Sequence, residues 1–139
     1  MMTTFKTDED KIRELKSVTT FVNIFGGSFK RLDANDVNFK IFDKDKNLIA
    51  YVEVIPRLRS MRMAYPLIVP VKKMIKLIDK RLNPTLIWCC EDGIIYGRIE
   101  HLNGTISFDG RTPSAGTPNN SELMAYFDKQ KSLKYIRFT

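Results

Sequence analysis

Apolar residues recur at helical spacing from Ile12 through Leu15 and Val18 to Val22, directly after Thr7, Asp8, Glu9 and Asp10. This predicts a helix over 7–22, with Thr7 as its cap and the three acids at its positive end. Residues 25–28 (Phe-Gly-Gly-Ser) break it, and 29–35 read as a loop or short strand. The period then changes from helical to two. Val37, Phe39 and Ile41 alternate with Asn38 and Lys40, 43–47 is a polar turn, and Leu48 to Ile55 is the return strand, ended by Pro56. A basic, irregular stretch (57–66) leads to Pro70, suited to a helix start, and Val71, Met74, Ile75, Ile78 and Leu82 mark the apolar face of a second helix that ends at Asn83-Pro84. Lys72, Lys73, Lys76 and Lys80 fall on its other face.

Residues 85–90 (Thr-Leu-Ile-Trp-Cys-Cys) form a nearly continuous apolar run, as expected of a central strand covered on both sides. Glu91 to Gly93 turns the chain into a strand over 94–99. A short strand is predicted at 104–108, a loop at 109–120, a helix at 121–131 and a final strand at 134–138. No internal repeat is visible. This order predicts an α/β sandwich, a mixed sheet flanked by helices, in one domain over 1–139, with a core at about 7–100 and a loop-helix-strand extension at about 101–139.

At 139 residues and 43% hydrophobic content the chain suits one core. No run approaches the roughly 18 apolar residues of a membrane span, and the N-terminal residues lack a signal-peptide core, so an intracellular, cytoplasmic protein is expected. Cys89 and Cys90, adjacent on a strand, point to opposite faces and read as reduced core residues. With His101 the only histidine, a zinc site and histidine-based hydrolase or HNH chemistry are disfavoured. The net charge of +7 favours an anionic partner such as nucleic acid.

The feature with most chemical content is the acidic hairpin. If Asp43 opposes Leu48, then Asn38 opposes Glu53, Lys40 opposes Tyr51 and Asp36 opposes Ile55, which brings Asp36 and Glu53 onto one face roughly 5–8 Å apart. Two such carboxylates suit Mg²⁺ or Mn²⁺, with the Val54 carbonyl as a further oxygen. Such an ion polarises a phosphoryl oxygen and activates a water. The plain alternative is that Asp36 caps the strand and Glu53 faces solvent. Against it, Glu53 interrupts a hydrophobic strand, where an unpaired charge is costly, and Arg57, Arg59 and Arg62 follow at once as phosphate ligands.

In this arrangement the chain resembles the PD-(D/E)XK, restriction-endonuclease-like superfamily, whose core is a helix, an acid-bearing hairpin, a second helix and further strands. Asp36 matches the motif aspartate and Glu53 its Asp/Glu; the stretches 65–73 and 92–96 also look like small members of the superfamily. The resemblance implies a Mg²⁺-dependent phosphodiesterase acting on nucleic acid, DNA favoured over RNA. It also implies a contribution from a first-helix glutamate, Glu9 or Glu14, to the metal site. The motif lysine, which positions the attacking water, is replaced by Ile55. Lys73, Lys72 and Lys40 are the substitutes, Lys73 foremost because it lies closest to the apolar face, and Lys72 and Lys76 join the arginines as nucleic-acid contacts. If none reaches, the chain is an inactive nuclease-fold module that binds nucleic acid or a protein partner, the latter through the Arg- and Met-rich 57–63 segment. A homodimer through a strand edge at 94–99 is a further expectation.

Gly93 to Gly97 resembles a GIY-YIG motif only in its letters, and 25–29 lacks the ending of a phosphate-binding loop. Tyr51, Tyr65 and Tyr96 read chiefly as packing residues.

Overall fold

The computed structural model describes residues 7–109 and 122–139. These residues form a mixed α/β structure with two α-helices and two sheets. Helix α1 (Asp8–Val22) begins with the predicted cap: Thr7 and Asp10 exchange side chain-to-backbone hydrogen bonds. It is followed by β1 (Ser28–Arg31), β2 (Phe39–Phe42), β3 (Leu48–Pro56), β4 (Leu67–Pro70), α2 (Val71–Ile78), β5 (Thr85–Cys89), β6 (Gly93–Arg98), β7 (Thr105–Asp109), β8 (Glu122–Phe127) and β9 (Lys134–Arg137). Six strands form the main sheet in the order β1-β2-β3-β5-β6-β9, and β4-β8-β7 form a second, antiparallel sheet.

In the main sheet β3 and β5 run parallel and the other neighbours run antiparallel. The parallel pair requires a crossover, and residues 57–84, with β4 and α2, supply it. Strand β5 is buried on both faces, as its unbroken apolar run predicts. One face, with Val52, Val54, Ile87, Cys89 and Ile94, packs on Val18, Phe21 and Val22 of α1. The other, with Ile55, Leu86, Trp88 and Ile95, is covered by Leu67, Val69 and Leu77 and by Ala125 and Phe127 of β8. Trp88 joins the sheets: its ring meets Phe127 edge-on at 5.8 Å and its Nε1–H donates to the Ile68 carbonyl at 3.1 Å. Cys89 and Cys90 are free, buried and divided between the two cores, and burial pushes the Cys90 thiol up to about 12.

Several expectations are corrected. Residues 122–127 are a strand where a helix over 121–131 was expected. Glu-Leu-Met-Ala favours a helix locally, but pairing with both β4 and β7, with Ala125 and Phe127 turned into the core, outweighs propensity. The extension is therefore built of strands, and β4, a stretch to which the sequence pattern assigns no element, forms its far edge. The predicted loop at 109–120 lies, apart from Asp109, outside the described residues. The 94–99 segment is no sheet edge, because β6 lies between β5 and β9, so it offers no strand for a homodimer.

Helix α2 is shorter than predicted and turned. It ends at Ile78, and Arg81 and Asn83 take left-handed conformations, φ 56° and 43°. Asn83 Nδ2 donates to the Ile49 carbonyl, which ties the turn to β3. Leu77 is fully buried with Val71 and Met74 beside it, whereas Ile75, expected in the core, is 61% exposed and Ile78 is also exposed. Among the described residues no helix is long and apolar enough to cross a membrane.

The orientation of α2 is tested by truncation. Leu77→Ala is expected to cost about 2–5 kcal/mol in urea unfolding, against no more than about 0.5 kcal/mol for Ile75→Ala.

Candidate functional site

Glu53 lies in the middle of β3 with only 6% of its surface exposed. An ionised carboxylate there requires partners, and Asn38, just ahead of β2, and Lys73 of α2 supply them. The backbone N–H of Asn38 donates to Glu53 Oε1 at 2.9 Å, and Asn38 Oδ1 accepts from the Val54 N–H at 2.6 Å. Lys73 Nζ of α2 lies 3.8 Å from Glu53 Oε2. The Asn38 side chain thus replaces a rung of the β2–β3 ladder just beyond Phe39, where regular pairing begins.

This arrangement takes residues 33–38 out of the sheet. Asp36 accepts from the Val37 N–H at 2.7 Å, and Lys80 Nζ lies 2.8 Å from each of its carboxylate oxygens. The hydrogen bond from Lys80 holds the Asp36 carboxyl below its ordinary value of 3.8; burial acts the other way, and the Val37 N–H and the Lys76 charge assist the lowering. Lys76 Nζ donates to the Asn35 carbonyl at 2.7 Å. Ala34, Asp36, Asn38, Glu53, Lys73 and Lys76 line one cleft of about 120 Å³. Two carboxylates and the ammoniums of Lys73 and Lys76 therefore share it, and Lys80 adds a third ammonium through its pair with Asp36.

The hairpin register is as predicted at Lys40↔Tyr51, but a bulge between Ile41 and Phe42 pairs Phe42, instead of Asp43, with Leu48. The Asp43 carboxylate instead accepts from the backbone N–H groups of Asp45 and Asn47 and closes the turn. Of the sequence-predicted residues the cleft gathers Asp36, Glu53, Lys73 and Lys76. Lys40 stands opposite Tyr51 and Lys72 is exposed, and neither lines it. Glu9 is exposed and pairs with Arg13, and Glu14 is buried with Arg31 at 2.8 Å. Both sit on α1, which packs on the Val52 and Val54 face, whereas Glu53, one residue out of phase, points to the other. Arg57 is occupied in bracing its own loop, donating to the carbonyls of Ala64 at 2.8 Å and Pro66 at 3.2 Å. Burial lowers its pKa. Arg59 and Arg62 are exposed. Ile55 is buried against Trp88 in the core, a place closed to an ammonium.

Asn38 and Lys80 were missed as site residues. Lys80, in the turn after α2, continues the lysine row 73, 76, 80 that the sequence pattern shows, but that the row faces the acids becomes legible only once Leu77 is known to face the core. Among the described residues no three His, Cys, Asp or Glu side chains form a group able to enclose a metal ion. Asp36 and Glu53 do fit a hard cation of the magnesium type, which is commonly held by one or two carboxylates and completed by waters and substrate phosphate. The three ammoniums would offset that phosphate's charge.

No protein-family model, curated protein or solved structure matches the chain.

The depressed Asp36 pKa fixes the sign of a stability test. The Lys80–Asp36 contribution is complete above the unfolded-state value, 3.8, and is lost as pH falls through the lower folded-state value. Lys80→Met is therefore expected to unfold at lower urea than the wild type at pH 7, and the difference should shrink below pH 3.8 and vanish once Asp36 is protonated.

Proposed function

We propose that this chain is a PD-(D/E)XK-type, nuclease-like protein of the restriction-endonuclease-like fold that hydrolyses nucleic-acid phosphodiesters. The observation that carries the reading is the convergence of Asp36, Glu53 and Lys73 in one small cleft. The order of elements supports it: a helix, an acid-bearing hairpin, a crossover with a second helix, and a strand parallel to the acid-bearing one.

Asp36 and Glu53, with the Val54 carbonyl as a further oxygen donor, are the residues that would hold Mg²⁺. When bound, the ion supplies Lewis-acid polarisation of the phosphate and a more acidic water. Lys73 takes the place that the motif gives to the residue at 55. Its ammonium stands beside Glu53, able to orient a nucleophile and to offset negative charge developing on the phosphoryl oxygens. Lys76 and Lys80 extend that positive edge along the strand path, where they bind phosphate without regard to base sequence. Asn38 holds the Glu53 carboxylate in one rotamer, so the site is rigid before substrate arrives.

A second reading, a catalytically silent nucleic-acid-binding module, draws on the same geometry. Lys80 already pairs with Asp36, and Ile55 closes the motif position. A cleavage assay separates the two. Wild-type protein is expected to nick plasmid DNA with Mg²⁺ or Mn²⁺ and not with EDTA. Asp36→Ala and Glu53→Gln should abolish nicking, and Lys73→Met should slow it on the order of 100-fold. Absence of metal-dependent cleavage of DNA and RNA, together with absence of Mn²⁺ binding in calorimetry, would exclude the hydrolytic reading.

A further inference from the structure

A second concavity lies on the same side of the main sheet as the carboxylate cleft. Met61, Arg62, Tyr65, Lys129, Tyr135 and Arg137 line about 500 Å³ of open space, within the range of small-ligand sites. Tyr135 stands opposite Ile95 on β9 and so shares a face with the Trp88 core. Strand β9 lies three strands from β3 in the order β3-β5-β6-β9, a separation of about 14 Å at ordinary strand spacing. The 57–62 segment, tied by hydrogen bonds to Cys89, Glu91 and Asp92, carries the exposed Arg59 and Arg62 over the end of the sheet between them.

The lining is an unusual combination for a surface. Three cationic side chains and two tyrosine rings meet, and none of the lining residues is acidic. The hydroxyls of Tyr65 and Tyr135 hydrogen-bond each other, while 41% of Tyr135 remains exposed. Behind the cleft Asp92 accepts from the Met61 N–H at 2.8 Å and lies 3.5 Å from Arg137 Nη1, which fixes the floor and one wall. A ligand complementary to these groups carries a flat, partly apolar ring and negative charge close to it. A nucleotide has both. In a duplex the base faces are covered by their neighbours, so a tyrosine ring stacks only on a base that is unpaired.

We propose that this cleft binds an unpaired nucleotide of a single-stranded or frayed nucleic acid, with the base stacked on Tyr135 and the phosphates held by Arg62, Lys129 and Arg137. The proposal rests on the nucleic-acid part of the reading above and not on its metal chemistry. The roughly 14 Å between β9 and β3 is matched by a few nucleotides, so a strand held at Tyr135 passes Arg59 and Arg62 before it reaches Glu53. The site thereby selects substrates with a single-stranded portion.

The test is fluorescence anisotropy in EDTA, where no cleavage occurs, with a labelled oligothymidylate and a blunt duplex of equal length. Wild-type protein is expected to bind the single strand more tightly than the duplex. Tyr135→Ala should weaken single-strand binding on the order of 10-fold, while Tyr135→Phe, which keeps the ring, retains it. Arg137→Ala should lower affinity and flatten its salt dependence by about one ion. Equal single-strand affinity of wild type and Tyr135→Ala, equal or tighter binding of the blunt duplex, or competition by a phosphotyrosine peptide together with no oligothymidylate binding would each overturn the proposal. Tyr135-dependent binding in a protein that fails the plasmid assay leaves the cleft standing and removes only the hydrolytic reading. Cleavage that persists when Tyr135→Ala binds like wild type removes only the cleft.

Discussion

A carboxylate buried in the middle of a sheet is the constraint around which the rest of this structure is arranged. Glu53 occupies a position on β3 whose neighbours are core residues, and it is kept there by the Asn38 N–H and the Lys73 ammonium. Each partner has a structural consequence. To offer its N–H to Glu53 and its side-chain oxygen to Val54, Asn38 must stand where the β2–β3 ladder stops. The preceding residues then leave the sheet as the turn that carries Asp36. To bring Lys73 within reach, α2 must be rolled so that Leu77, and not Ile75 or Ile78, enters the core. That roll also aligns Lys76 with Asn35 and Lys80 with Asp36. One expensive burial thus accounts for the break in β2, the orientation of α2 and the row of ammoniums.

Local patterns in the sequence carry a large part of this. The capped first helix, the alternation on the hairpin, the fully apolar β5 and the Lys40↔Tyr51 register follow from periodicity and turn chemistry, because each is decided by residues close in the chain. What does not follow is decided at a distance. Residues 122–127 carry a helical composition and become a strand because β4 and β7 are there to pair with them. The apolar residues of α2 allow more than one facing, and the choice between them is made by β3 and by the short turn that ends the helix at Ile78. The carboxylate pair was visible in the sequence, but the partners of its acids were visible only in part: Lys73 from its place beside the apolar face, Asn38 as the residue opposite Glu53 and Lys80 as one of a row of lysines, the last two with no role in the site.

The basic residues divide by task once their partners are known. Arg57, the first cation after Glu53 in sequence, is drawn inward by two carbonyls and shapes the loop over the sheet end. Arg62 joins a tyrosine-lined cleft, and the lysines of α2 face the acids. A net charge of +7 is therefore not a uniform coating. The α2 lysines and Arg62 gather on one side of the main sheet, whereas α1, on the other, opens with three acids and pairs its Glu9, Asp10 and Glu14 with Arg13 and Arg31.

The parallel pairing of β3 with β5, the one such pair among the described residues, gives this gathering a kinetic meaning. Hairpins close early because their ends are near in sequence, whereas β5 can dock on β3 only after the whole 57–84 connection has been drawn in, a contact of high loop-closure entropy. The lysines that face Asp36 and Glu53, Lys73, Lys76 and Lys80, ride on that connection. A chain with its β1–β3 meander formed and its crossover still open therefore has both acids and none of their cations in place. Completion of the charge constellation coincides with completion of the sheet, and a partly folded molecule has no assembled site.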